Sequence, residues 1–172
     1  MSSCDPETST ICAVDVYYRD TGALSAAVTF GDWTDEKPQH EITVPIPQVA
    51  EYRPGQFYLR ELPCILAVLE KLPCPPRTIV VDGYVWLRPD EPGLGLHLYE
   101  TLGSRVPVIG VAKTSFDGSP HAVPVRRGDS KRPLYVTAAG MEDSAAAACV
   151  TAMHGEYRLP TLLKAVDMLC RS

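Results

Sequence analysis

The chain has 172 residues, 45% of them hydrophobic and 22% charged, which suits one globular domain with its own core rather than two. Its net charge of −5 excludes a protein that grips nucleic acid by bulk positive charge alone, though not a local basic groove around an acidic site. No apolar run approaches the roughly 18 residues of a membrane-spanning helix. The first residues lack the basic-then-apolar pattern of a secretory signal. The six cysteines form no Cys-x-x-Cys pair and several lie in apolar runs, so free thiols in a reducing cytoplasm are expected.

In chain order, residues 11–18 read as a buried strand interrupted by one carboxylate, Asp15. Asp20-Thr21-Gly22 is turn chemistry, and residues 23–30 complete a hairpin. Residues 41–46 read as a third strand, and the proline-bearing stretch that follows as a loop. The spacing of Ile65, Leu66, Leu69 and Leu72 predicts a helix over 62–72, with Pro63 in its first turn, where a missing N–H costs nothing. Residues 78–83 are a short apolar strand ending in Asp82-Gly83, of the kind covered on both faces. A helix over 93–102, an apolar strand over 106–113, a strand over 134–137 and helices over 143–152 and 160–170 follow. Between them, Arg126, Arg127, Lys131 and Arg132 read equally as a phosphate-contacting loop or a solvated hairpin tip. Strands first, then β and α in alternation, predict an α/β domain with a mixed sheet over residues 1–172.

Three carboxylates stand out by context: Asp15 inside an apolar strand, Asp82 at the end of another, and Glu61 ahead of an apolar helix. A charge facing a core is costly unless it is paired or bound to metal. Such an oxygen-only set suits Mg²⁺ or Mn²⁺, and carboxylate-held divalent cations hydrolyse phosphodiesters. By pattern alone, Asp15 could equally face solvent, and Asp82-Gly83 could be a simple turn.

The ordered segments Val14-Asp15-Val16-Tyr17-Tyr18, Glu51-Tyr52-Arg53-Pro54-Gly55, Leu59-Arg60-Glu61, Val81-Asp82-Gly83, Gly93-Leu94-Gly95-Leu96-His97-Leu98 and Pro107-Val108-Ile109-Gly110-Val111-Ala112-Lys113 resemble endonuclease V. Pro133-Leu134-Tyr135-Val136 and Tyr157-Arg158-Leu159-Pro160 resemble its C-terminal part. The resemblance implies a ribonuclease-H-like mixed sheet flanked by helices. It implies Mg²⁺-dependent cleavage, with Mn²⁺ as a substitute, of DNA or RNA containing a deaminated base such as inosine. The cut falls at the second phosphodiester on the 3′ side. By position, Asp15, Glu61 and Asp82 resemble the metal-binding carboxylates and Lys113 the active-site lysine. Tyr52 resembles the tyrosine that wedges into the gap left by an extruded base. Gly55 and Gly83 would line the base pocket, with Arg53 and Arg88 beside the nucleic acid. A cytoplasmic monomer acting in repair is expected.

Four positions depart from the family pattern. Glu51 and Arg53 flank the wedge tyrosine where the family carries Pro and Ile. Arg88 and Met141 stand where the family carries histidines. Arginine keeps a positive charge for phosphate but exchanges no proton near neutral pH. These departures leave open an alternative: a catalytically altered or inactive binding module on the same fold.

Overall fold

The computed structural model describes residues 9–117 and 121–172. Strands β1 (Ile11–Arg19) and β2 (Gly22–Phe30) form the anticipated antiparallel hairpin, and β3 (His40–Ile46) pairs with β2. Helix α1 (Phe57–Leu69) leads into β4 (Thr78–Asp82), which lies parallel to β1. A small ribbon of β5 (Trp86–Arg88) and β6 (Glu91–Pro92) precedes helix α2 (Leu94–Thr101). Strand β7 (Val108–Ala112) lies parallel to β4. Strands β8 (Val123–Val125) and β9 (Leu134–Ala139) pair antiparallel, with β9 against β7. Helices α3 (Asp143–Ala152) and α4 (Thr161–Cys170) close the chain. The seven-stranded sheet runs β3-β2-β1-β4-β7-β9-β8, so three parallel strands occupy its centre.

Both faces of that centre are covered, because the pleat alternates two apolar sets. Ile11, Ala13, Val80, Ile109 and Val111 pack with Ala146 and Val150 of α3 and with Leu162 and Val166 of α4. Cys12, Val14, Ile79 and Val81 pack with Cys64, Ile65 and Val68 of α1 and with Leu94 and Leu98 of α2.

The helix read from residue 62 begins at Phe57 instead, and Pro63 lies inside it rather than in its first turn. The first turn has no side-chain cap and no acidic residue to mark it. Pro63 is tolerated because it faces solvent, where the carbonyl of exposed Leu59 can bind water. The β5–β6 ribbon and β8 are strands of two or three residues, too short to show a period. Cys12, Cys64, Cys149 and Cys170 are free thiols, whereas Cys74 is disulfide-bonded, against the expectation of reduced cysteines.

Candidate active site

The parallel registers bring the chemistry to one end of the sheet. Val14 pairs with Val81, so Asp15 and Asp82 end level on neighbouring strands. Asp82 pairs in turn with Val111, two residues before Lys113. Asp15 continues the alternation of Ile11 and Ala13, Asp82 that of Val80, and Lys113 that of Ile109 and Val111. All three therefore project to the face covered by α4. There Asp15, Asp82, Lys113, Leu159, Leu163 and Asp167 line one pocket of ≈30 Å³, room for an ion or a water. The carboxyl ends of parallel strands are where open α/β sheets bind ligands.

The groups in this pocket act on one another. Lys113 Nζ stands 3.7 Å from Asp82 Oδ2. Asp15 Oδ1 accepts the Val16 N–H at 2.9 Å. Burial, then the Asp82 charge, pushes the Asp15 carboxyl up to about 6, against the Val16 hydrogen bond and Lys113. The Asp82 carboxyl is also raised, first by loss of surrounding water, although Lys113 draws it down. Burial raises Asp167 too, but the Arg171 hydrogen bond and the Lys113, Arg171 and Lys164 charges together hold it below the ordinary carboxylate range.

Glu61 arrives from α1, on the opposite face of the sheet, and is only 7% exposed. Burial, then the Asp15 and Asp82 charges, pushes its carboxyl up to about 8, while Arg60 opposes the shift. Its Oε2 is buried with no hydrogen-bond partner. A buried carboxylate oxygen without a donor is costly, and the Asp15 and Asp82 charges add to the cost of ionising Glu61. A divalent cation relieves both costs, so the donor chemistry fits one: carboxylate oxygens, one of them orphaned on Glu61, with Asp15, Asp82 and Asp167 lining a space of an ion's size.

Asp167 was missed by sequence reasoning. It lies beyond the last recognisable motif, on a helix whose pattern otherwise reads as packing. The signal was an acidic residue on the apolar stripe of Leu163, Val166 and Cys170. Donor atoms of Asp15, Asp167 and Cys170 lie within 4.8 Å of one another.

The remaining anticipated residues stand apart from the pocket. Tyr52 is 61% exposed, on the loop before α1, whose first residues Phe57 and Leu59 are also exposed. Arg53 and Glu51 are exposed on the same loop. Gly55 and Gly83 both have positive φ, +76° and +129°, and a Cβ at either would meet nothing within 4 Å, so the requirement there is backbone conformation and open space. Arg88 is exposed, paired to Glu91 at 3.1 Å, with its guanidinium 5.4 Å from the Phe116 ring centre. Met141 packs on the core beside α3. His97, on α2, stacks on Tyr58 at 3.6 Å. Of the basic cluster, Arg126, Lys131 and Arg132 are exposed, but Arg127 is buried, which neither reading of that cluster anticipated.

A family model described as Endonuclease V matches residues 2–140. The Endonuclease V of Streptomyces avermitilis is 33% identical, over 96% of this chain and 81% of its own length. That of Azotobacter vinelandii is 32% identical, over 95% and 83%. The crystal structure of the Streptomyces avermitilis protein superposes with a TM-score of 0.75 at 32% identity, covering 96% of this chain and 81% of that one. The Ciona intestinalis Endonuclease V, solved with a 24mer DNA containing an inosine followed by a ribo-adenosine, superposes at 0.79 with 19% identity over 95% and 84%. At that identity it speaks for the fold, which is ribonuclease-H-like.

Proposed function

Because the chain belongs to the endonuclease V family, and so to a family of nucleases, we propose that it cuts DNA at the second phosphodiester 3′ to a deaminated base such as inosine, with Mg²⁺ as its cation. The observation that carries the cation requirement is Glu61: a buried carboxylate with one unpartnered oxygen, pressed by Asp15 and Asp82. Asp15, Glu61 and Asp82 would hold the ion, with Asp167 at the same pocket. The ion would supply an activated water and charge stabilisation at the leaving 3′ oxygen.

The chain's own residues do the rest. Lys113 offers its ammonium to the scissile phosphate beside Asp82. Leu159, Leu163 and Val166 wall the pocket with apolar surface, which strengthens each charge interaction inside it. Extruding a base costs a few kcal/mol. An exposed tyrosine at Tyr52 offsets part of that by stacking, at about 1–3 kcal/mol. Gly55, Gly83, Arg53 and Arg88 are the further residues we assign to the nucleic acid, in a single-domain monomer acting in the cytoplasm.

The test is nicking of matched inosine-containing DNA and RNA with Mg²⁺, Mn²⁺ or chelator. Cleavage at the stated bond, abolished by chelator and by Asp82→Ala, is expected. Folded protein that binds the lesion but cuts neither substrate with either metal would sink the nuclease and favour the inactive-module alternative.

A further inference from the structure

Arg127 follows β8 and is 7% exposed, yet no carboxylate pairs with it among the described residues. Its guanidinium instead donates to backbone carbonyls. Nη1 reaches Tyr157 O at 2.8 Å and Arg158 O at 3.4 Å. Nη2 reaches Met153 O at 2.5 Å and Gly155 O at 3.1 Å. Met153 caps the C-terminus of α3, whose last turn holds no basic residue of its own. Arg127 thus supplies from another element the positive charge a helix C-terminus favours, while burial lowers its own pKa. A planar five-donor fork suits several carbonyls at once; an ammonium does not.

The segment it holds runs straight to the catalytic end of the sheet. Arg158 Nη1 donates to the Lys113 carbonyl at 3.2 Å, and Leu159 lines the pocket. The Thr161 N–H donates to His154 O at 2.8 Å, so the same loop sets the start of α4, which carries Asp167.

We propose that Arg127 is a positioning residue for the cleavage reaction: by clamping the loop between α3 and α4, it fixes Arg158 against the Lys113 backbone and so aims the Lys113 ammonium. This rests on the proposed nuclease activity. Arg127 touches no reacting atom, so its loss misplaces a catalytic group without removing one. Displacements of about 1 Å remote from the chemistry can cost roughly 100-fold in rate.

The experiment is a double-mutant cycle of Arg127→Met and Arg158→Met, with Arg127→Lys as the milder change. Cleavage of an inosine-containing duplex is measured on folded protein, alongside hydrogen exchange by mass spectrometry. Arg127→Met should lower kcat roughly 10- to 100-fold with KM little changed. Arg158→Met should do likewise, Arg127→Lys less, and the double variant no worse than the worse single. Exchange should rise over residues 153–161 in Arg127→Met but not in β1 or β4. Losses that multiply in the double variant, or full kcat in Arg158→Met, overturn the proposal. If Arg127→Met does not fold, Arg127→Lys and Arg158→Met carry the same comparison. If the native chain cuts nothing, the nuclease activity fails by itself; unchanged exchange over 153–161 in either Arg127 variant then separately overturns the clamp.

Discussion

At the scale of single residues, Glu61 makes the sharpest prediction. Its carboxyl is pushed to about 8 from the ordinary 4.5, first by burial and then by Asp15 and Asp82. Between those values the metal-free folded chain holds a proton that the unfolded chain has released. Folding is therefore unpenalised by Glu61 below about pH 4.5 and loses stability as pH rises toward 8. Asp15, raised from 3.8 to about 6, adds the same sign over its lower window. Thermal unfolding in chelator should show Tm falling from pH 5 to pH 8. Glu61→Gln should flatten that fall and abolish the stabilisation given by added Mg²⁺. A Tm that climbs across this range in chelator contradicts the raised carboxyls. Asp15 and Asp82 were legible because an acid interrupting or ending an apolar strand breaks a simple period. Asp167 was not, because one acid on an amphipathic helix resembles an ordinary solvated position. Arg127 was misread because composition cannot tell a hairpin-tip arginine from one turned inward onto carbonyls.

At the scale of elements, the strands and helices that bury continuous apolar surface were readable, as was the half-exposed β3, and the shortest strands were missed. The central strands β1, β4 and β7 announce themselves by short apolar runs, whereas β5, β6 and β8 do not. Helix α1 was legible over its apolar face and illegible at its start, where Gln56 offers no side-chain cap. Close approach between β7 and the turn after β4 also has a measurable consequence. A Cβ at Gly110 would lie 2.5 Å from Gly83 O and 2.9 Å from Val85 N. Backbone on that side cannot swing away as a flexible side chain would. Gly110→Ala should cost about 1–3 kcal/mol by overpacking in urea unfolding, and should weaken the 3.0 Å bond from Gly83 N–H to Val111 O. Unchanged stability would show that the β4–β7 seam is looser than its spacing implies.

At the scale of the whole molecule, the proposed activity divides recognition between a chain of net charge −5 and the site. In the proposed reaction Asp15, Asp82 and Glu61 stand at the centre as the cation's ligands, and the bound cation would partly neutralise their charge. Exposed Arg53, Arg88, Arg126, Lys131 and Arg132 supply positive charge outside it. Binding to undamaged duplex should fall in the non-specific range of about 10⁻⁴–10⁻⁶ M or weaker at physiological salt, with a steep salt slope. Binding to an inosine duplex should be tighter and less salt-dependent, because stacking and pocket contacts add to it. Fluorescence anisotropy at 50 and 200 mM salt compares the two, and nanomolar affinity for undamaged duplex at the higher salt would contradict this division.

The arrival of Asp167 on α4 bears on how the molecule is made. The emerging polypeptide presents Asp15, Asp82 and Lys113 before the α4 residues that wall their pocket exist. Until α4 is present, Asp15 and Asp82 lack the side of the pocket built by Leu163, Val166 and Asp167. The pocket is thus completed only after the strands that carry Asp15 and Asp82 have been made, and a chain still lacking α4 holds those carboxylates without their pocket.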